Sequence, residues 1–124
     1  KLKRIERATT MLQHSTEFAG SADIHISADG KFLYASNRGE VNNIAIYNIN
    51  NKNGRLTLIG HQSTLGKAPR NFSIDPSGKF LLAENQNSDE IVIFRRNEKT
   101  GLLTDSGNRV QVGKPVCIKW ISIN

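Results

Sequence analysis

Apolar residues in this chain come in short runs, and the runs come twice in the same order. Ile24 and Ile26 lead to Phe32–Ala35, then to Ile44, Ile46 and Ile49, then to Leu56–Ile59. Phe72 and Ile74 lead to Phe80–Ala83, then to Ile91–Phe94, then to Leu103–Val110. Polar turn formers separate the runs: Ala28-Asp29-Gly30-Lys31, Asn37-Arg38-Gly39-Glu40, Asn51-Lys52-Asn53-Gly54 and Asp75-Pro76-Ser77-Gly78. Short apolar runs bounded by Gly, Asn, Asp and Pro predict strands. No stretch carries a useful length of 3.6-residue periodicity. The expected fold class is all-β, made of four-stranded antiparallel units.

The two courses align residue by residue. Gly30 falls on Gly78, Lys31 on Lys79, Phe32 on Phe80, Ala35 on Ala83 and Asn37 on Asn85, and Gly54-Arg55-Leu56-Thr57 answers Gly101-Leu102-Leu103-Thr104. Self-similarity at about 45–50 residues marks a β-propeller blade or a related array. A third copy opens at Lys114-Pro115-Val116-Cys117-Ile118-Lys119-Trp120, matching Lys67–Ser73. The expected organisation is one propeller domain: a blade tail at 1–21, blades at 22–66 and 67–112, and the first strand of a further, closing blade at 113–124. About two and a half blades do not close a ring, which takes at least four. Blades hide their apolar faces only by stacking. The chain is therefore expected to be part of a longer one, with the remaining blades as its first partner. Its start at Lys1 rather than Met points the same way.

Charge and composition narrow the partners. Lys and Arg number 17 against 11 acids, a formal +6, which suits an anionic partner. Phe32, Tyr34, Phe72, Phe80 and Trp120 occupy core-strand positions rather than a basic stacking platform, so nucleic acid is not the expected one. The basic run Lys1–Arg7 reads as a solvated strand end. No apolar stretch approaches the roughly 20 residues of a membrane span, and no signal peptide follows the basic start. The single Cys117 forms no disulfide within the chain, so a cytoplasmic location is expected. No His, Cys, Asp or Glu spacing suits a metal, and no metal or cofactor is expected.

In a four-stranded meander the turns alternate between two rims. One rim carries the ordinary turn formers Asp29-Gly30 and Asn53-Gly54. The other gathers Arg38, Arg70 and Lys114 with the amides of Asn37, Asn71, Asn85 and Gln86. Guanidinium and amide groups converging on one cavity suit an anion with several hydroxyls, because Arg offers a planar fork to carboxylate or phosphate. Turn finishing is the alternative role for the Asn residues.

Two segments carry a family resemblance. Ile-Ser-Ala-Asp-Gly-Lys-Phe-Leu-Tyr-Ala-Ser-Asn-Arg-Gly (Ile26–Gly39) and Ala68–Asp89, with its Ala-Pro-Arg-Asn and Asp-Pro-Ser-Gly-Lys-Phe, resemble the lactonase family of seven-bladed propellers. That family includes propeller-type 6-phosphogluconolactonase and the fungal carboxymuconate-cyclising enzyme. The resemblance covers essentially the whole chain and implies the C-terminal portion of such a ring. It implies hydrolysis of a small anionic sugar lactone, 6-phosphogluconolactone foremost, in a central cleft. Arg38 matches the family's Ser-Asn-Arg-Gly arginine, implied to stabilise an oxyanion or phosphate. Pro69-Arg70 matches its Pro-Arg pair, where Asn71 stands in place of a common His. Arg70, Asn37, Asn71, Asn85 and Gln86 are the expected substrate-binding residues. His25 and Asp23 are the possible bases; Glu84 is read as structural. Most of the implied cleft lies outside this sequence, so residues 1–124 alone are expected to be inactive. A non-catalytic binding propeller and a carboxymuconate-type lactonising enzyme are the alternatives.

Overall fold

The computed structural model describes residues 2–123. Eight strands form two sheets. The first holds β1 (Ala19–Ile26), β2 (Phe32–Gly39), β3 (Asn43–Ile49) and β4 (Leu56–Ser63). The second holds β5 (Pro69–Ile74), β6 (Phe80–Asn85), β7 (Glu90–Arg96) and β8 (Leu103–Gln111). Each sheet is an antiparallel meander in chain order. Among the described residues the only helical element is the 3-10 turn Gln86–Ser88. The all-β architecture of four-stranded units read from the sequence is the one observed.

The turn after the first strand of each sheet is one design with two residues exchanged. Ser27 Oγ donates to Asp29 Oδ1 at 2.6 Å and accepts Phe32 N at 3.0 Å. In the second sheet Asp75 stands in the serine's place, accepting Ser77 Oγ at 2.5 Å and Phe80 N at 2.8 Å. Burial raises the Asp75 carboxyl, yet the Ser77 hydroxyl and the amides of Phe80, Ser77 and Lys79 leave it below the ordinary carboxylate range.

The core lies where the two sheets meet face to face. Phe32, Tyr34, Ile44 and Ile46 of the first pack with Phe72, Leu81, Ala83, Val92, Phe94 and Leu103 of the second. Complete burial of an aliphatic or Phe side chain contributes about 1.5–3 kcal/mol, so this joint is the main source of cohesion. Its polar tie is Tyr34, whose hydroxyl donates to Gly101 O at 2.7 Å and accepts Arg96 Nε at 2.9 Å.

Gly101 marks how closely the sheets approach. Its φ is 75°, and a Cβ there would stand 2.7 Å from Phe32 Cε1. A left-handed non-Gly residue costs about 1–2 kcal/mol before any clash. Gly101→Ala should therefore lower the urea midpoint by the equivalent of at least about 2 kcal/mol. An unchanged midpoint would mean that the joint is looser than drawn.

The strand bounds depart from the sequence reading at the start of β1. Ala19, Gly20 and Ser21 fall in the stretch assigned to the blade tail, yet they pair with Gly39, Arg38 and Asn37, so β1 starts before the apolar Ile24. Ladders use backbone groups, so polar residues join them without an apolar pattern to announce it. Residues 2–18 and 112–123 join no ladder with the other described residues. The first segment is held by side-chain links instead: His61 Nε2 lies 2.8 Å from Thr10 O, and the Tyr47 hydroxyl donates to Thr9 O.

Candidate functional site

Both first strands carry a β-bulge at the same relative place. The register shifts between Ser21 and Ile24 in β1, and between Pro69 and Asn71 in β5. A bulge bends the strand and re-aims a side chain. Here the bulges bring Ala22 and Arg70 to the rim where β2 ends. Together with Ser21 and Arg38 they line a cleft of about 170 Å³ between the two sheets. The two arginines that the sequence placed on one rim do share one cleft. Arg38 is half-buried, and its Nε is buried with no hydrogen-bond partner. Arg70 is exposed. An unpaired buried donor is costly to leave unmade, so this guanidinium is disposed to accept an anion.

One step along β1 stands a carboxylate–imidazole pair. Asp23 Oδ2 is 2.8 Å from His25 Nε2. The carboxylate is also held by Ile24 N at 2.9 Å, by Phe72 N at 3.2 Å and by the Asn71 amide. His25 sets its ring edge-on to Phe72, with centroids 4.9 Å apart. An imidazole oriented by an anchored carboxylate has the arrangement of a general base. His25 is 43% exposed, and it lines a hollow with Ala28, Ser73, Asp75 and Pro76 rather than the arginine cleft.

Three expected ligand groups are engaged elsewhere. Asn37 is fully buried, accepting Thr10 Oγ1 at 2.7 Å and donating to Thr10 O and Asn43 Oδ1 at 3.0 Å. Asn85 is fully buried and donates to Thr64 O at 2.9 Å. Both fasten strand ends to neighbouring loops, and their place as substrate ligands is corrected accordingly: a side chain with no exposed surface meets no substrate. Asn71 bridges three segments, donating to Asp23 and accepting Ile118 N at 3.4 Å. Gln86 opens the 3-10 turn, half-buried, with its backbone N–H on Ala68 O at 3.0 Å. Lys114 lies on the same rim, its N–H held by Asp89 Oδ1 at 2.9 Å. Among the described residues no three His, Cys, Asp or Glu side chains come together as metal ligands would.

Glu84 and Arg96 are the charged residues whose surroundings the sequence did not disclose. Glu84 is fully buried, and its carboxyl oxygens make no well-formed hydrogen bond. Burial is the main cause that pushes it up to about 7; the Asp23 charge adds to this, while the Ile118 N–H and Lys119 oppose it. The available signal was the repeat itself, which has Ser36 at the equivalent position.

A meander of four-stranded blades with a basic cleft on the rim between them defines a propeller of the ligand-binding or enzymatic kind. The chain matches the family described as "Lactonase, 7-bladed beta-propeller" over residues 1–120, and it belongs to that family. It is 66% identical over 84 residues to a 6-phosphogluconolactonase of Formosa agariphila, covering 67% of this chain and 24% of that protein. It is 34% identical over 121 residues to a 6-phosphogluconolactonase of Bacillus subtilis, covering 98% of this chain and 34% of that protein. The solved structure of the periplasmic gluconolactonase of Pseudomonas aeruginosa superposes with a TM-score of 0.89 at 31% identity, covering 92% of this chain and 31% of that one. The chain thus spans a quarter to a third of the length of these relatives.

Proposed function

We propose that this chain is part of a propeller lactonase that hydrolyses 6-phosphogluconolactone to 6-phosphogluconate, as the names of its relatives suggest. The observation that carries the reading is the Arg38–Arg70 cleft; the Asp23–His25 pair follows further along β1, where His25 lines a separate hollow with Ala28, Asp75 and Pro76. The arginines bind the phosphate or the oxyanion that forms as the carbonyl is attacked. His25, oriented through Nε2 by Asp23, takes a proton from the attacking water at its other nitrogen. The water oxygen bonds to the lactone carbon, and the ring C–O bond breaks. The imidazolium then returns its proton to the leaving alkoxide. Every step uses side chains, with no metal or cofactor. A cytoplasmic location belongs to this reading; none of the described helical segments is long and apolar enough to cross a membrane. The Pseudomonas aeruginosa relative is periplasmic, and fractionation distinguishes the two.

The test is turnover of 6-phosphogluconolactone by the full-length protein, with His25→Gln beside it. Turnover above the spontaneous rate is expected. His25→Gln should lower kcat by about a hundredfold, the usual worth of a positioned base, with KM little changed. No turnover in the wild type would favour a binding propeller or a carboxymuconate-type substrate. Turnover with full activity in His25→Gln would move the base to another blade.

A further inference from the structure

Ala68 and Lys114 stand where the chain leaves one four-stranded unit and starts the next, and both are left-handed, with φ of 57° and 50°. Each directly precedes a proline, Pro69 and Pro115. A side chain makes that backbone costly, and a residue before proline favours an extended one. Such a conformation persists only where the surroundings over-determine it. Both are held in the same way. Asn42 Oδ1 accepts Ala68 N at 2.9 Å, and Asp89 Oδ1 accepts Lys114 N at 2.9 Å. Asn42 and Asp89 stand just before β3 and β7 and are themselves left-handed, at 39° and 54°. Their backbone carbonyls accept Thr64 N and Val112 N, each at 3.0 Å. Two copies of one clamp therefore set the direction in which the chain enters the next unit.

The copies differ in one bond. Asn42 Nδ2 donates to Gly39 O at 2.8 Å, whereas an ionised carboxylate such as that of Asp89 only accepts. Gly39 follows Arg38, and Ala68 precedes Arg70 by two residues. One amide thus grips the backbone beside both arginines of the cleft, at the end of β2 and at the start of β5. The second grip is reinforced from β6. Ala68 O accepts Gln86 N and Lys67 O accepts Asn87 N, each at 3.0 Å, and Lys67 N donates to Ser88 Oγ at 2.8 Å. Pro69 is fully buried, so little slack remains between Ala68 and Arg70. At the second joint Gln86 and Val116 occupy the places of Arg38 and Arg70. The joint whose clamp also donates is the one that carries two arginines.

We propose that Asn42 is a positioning residue of the cleft: its side-chain amide fixes the spacing of Arg38 and Arg70 so that both guanidinium groups meet one anion. The inference rests on the reading of that cleft as the anion site. Asn42 does not line the cleft itself and acts through the backbone on either side. Every group the bridge joins belongs to the two complete sheets or to the loop between them. Spacing matters only while both arginines are present. That separates positioning from a general contribution to folding, which would act alike whether or not Arg70 is there.

The experiment is a double-mutant cycle of Asn42→Ala and Arg70→Ala in the full-length protein. It is read by calorimetric titration with inorganic phosphate and by turnover of 6-phosphogluconolactone. Asn42→Ala should raise the phosphate Kd about fivefold and lower kcat/KM by a similar factor, since small misplacements of a binding group are costly. In the Arg70→Ala background the same change should cost less than about twofold in each. An equal factor in both backgrounds, or wild-type values in Asn42→Ala, would overturn the positioning role. Phosphate binding without turnover in the wild type would sink the lactonase reading alone, and the cycle is then decided on phosphate. A wild type that binds no phosphate would end this inference too. Should Asn42→Ala fold poorly, Ala68→Gly is added to it, because glycine takes the left-handed conformation unaided. That variant still lacks the bridge and should show the same loss; full phosphate affinity in it would refute the proposal.

Discussion

Arg38→Ala in the full-length propeller should lower kcat/KM for 6-phosphogluconolactone by about a hundredfold or more, without loss of folding. Three facts set that size. The guanidinium lines the inter-sheet cleft with Arg70. Its Nε is buried and unpaired, so an anion gains that donor without first displacing a partner. A half-buried site also screens charge less than open water does. Arg38→Lys should restore little, because a lysine brings a point charge where a fork is wanted. Arg70→Ala should cost less, about tenfold, since Arg70 is exposed and its attraction is screened by solvent. The loss should lie in kcat if Arg38 meets the oxyanion and in KM if it grips the phosphate. Wild-type constants in Arg38→Ala would remove the cleft from the reaction.

Arg96→Ala should destabilise the protein by about 3 kcal/mol, read as the shift in a urea midpoint. Arg96 is 7% exposed. It donates from Nη1 to Gly78 O at 2.7 Å and from Nε to the Tyr34 hydroxyl at 2.9 Å. Its guanidinium carbon lies 5.7 Å from the Phe32 ring centre and 5.9 Å from that of Tyr34. Asp29, 3.8 Å from Nη2, offsets its charge at the edge. One side chain thus ties the hairpin turn of β5–β6 to the aromatic residues of β2, across the joint between sheets. Arg96→Met should recover part of the loss by refilling the volume, yet leave Gly78 O without its donor. Full recovery in Arg96→Met would show that packing alone sets the effect.

The fold was legible because each level of the sequence repeats the same statement. Phe32–Ala35 and Phe80–Ala83 are apolar runs after equivalent glycines, and both glycines take the left-handed conformation, at 71° and 74°. The exchange of Ser27/Asp29 for Asp75/Ser77 leaves the turn unaltered, because either order offers an acceptor to the amide of Phe32 or Phe80. The rim was also legible: alternation of turns placed Arg38 and Arg70 on one side, and they share a cleft. The amides were not. Asn37 and Arg38 are adjacent in sequence and on one rim, yet Asn37 turns inward to Thr10 and Asn43 while Arg38 lines the cleft. Neighbours on a strand point to opposite faces, and an Asn reads alike in a turn, in a buried bridge or against a ligand.

By itself the sequence determined the strand order, the turn positions, the repeat and the rim on which the basic residues gather. These follow from local chemistry: apolar runs, glycines at left-handed turns, and a meander whose turns alternate. Only the tertiary structure decided which polar groups are spent and which are free. It buries Glu84, pairs His25 with Asp23, sets Arg96 over the Phe32 and Tyr34 rings, and leaves Arg38 Nε unpaired. The reason is that the state of a charged side chain is set by neighbours from other strands and the next unit. Those neighbours lie tens of residues away along the chain, beyond the reach of any local pattern.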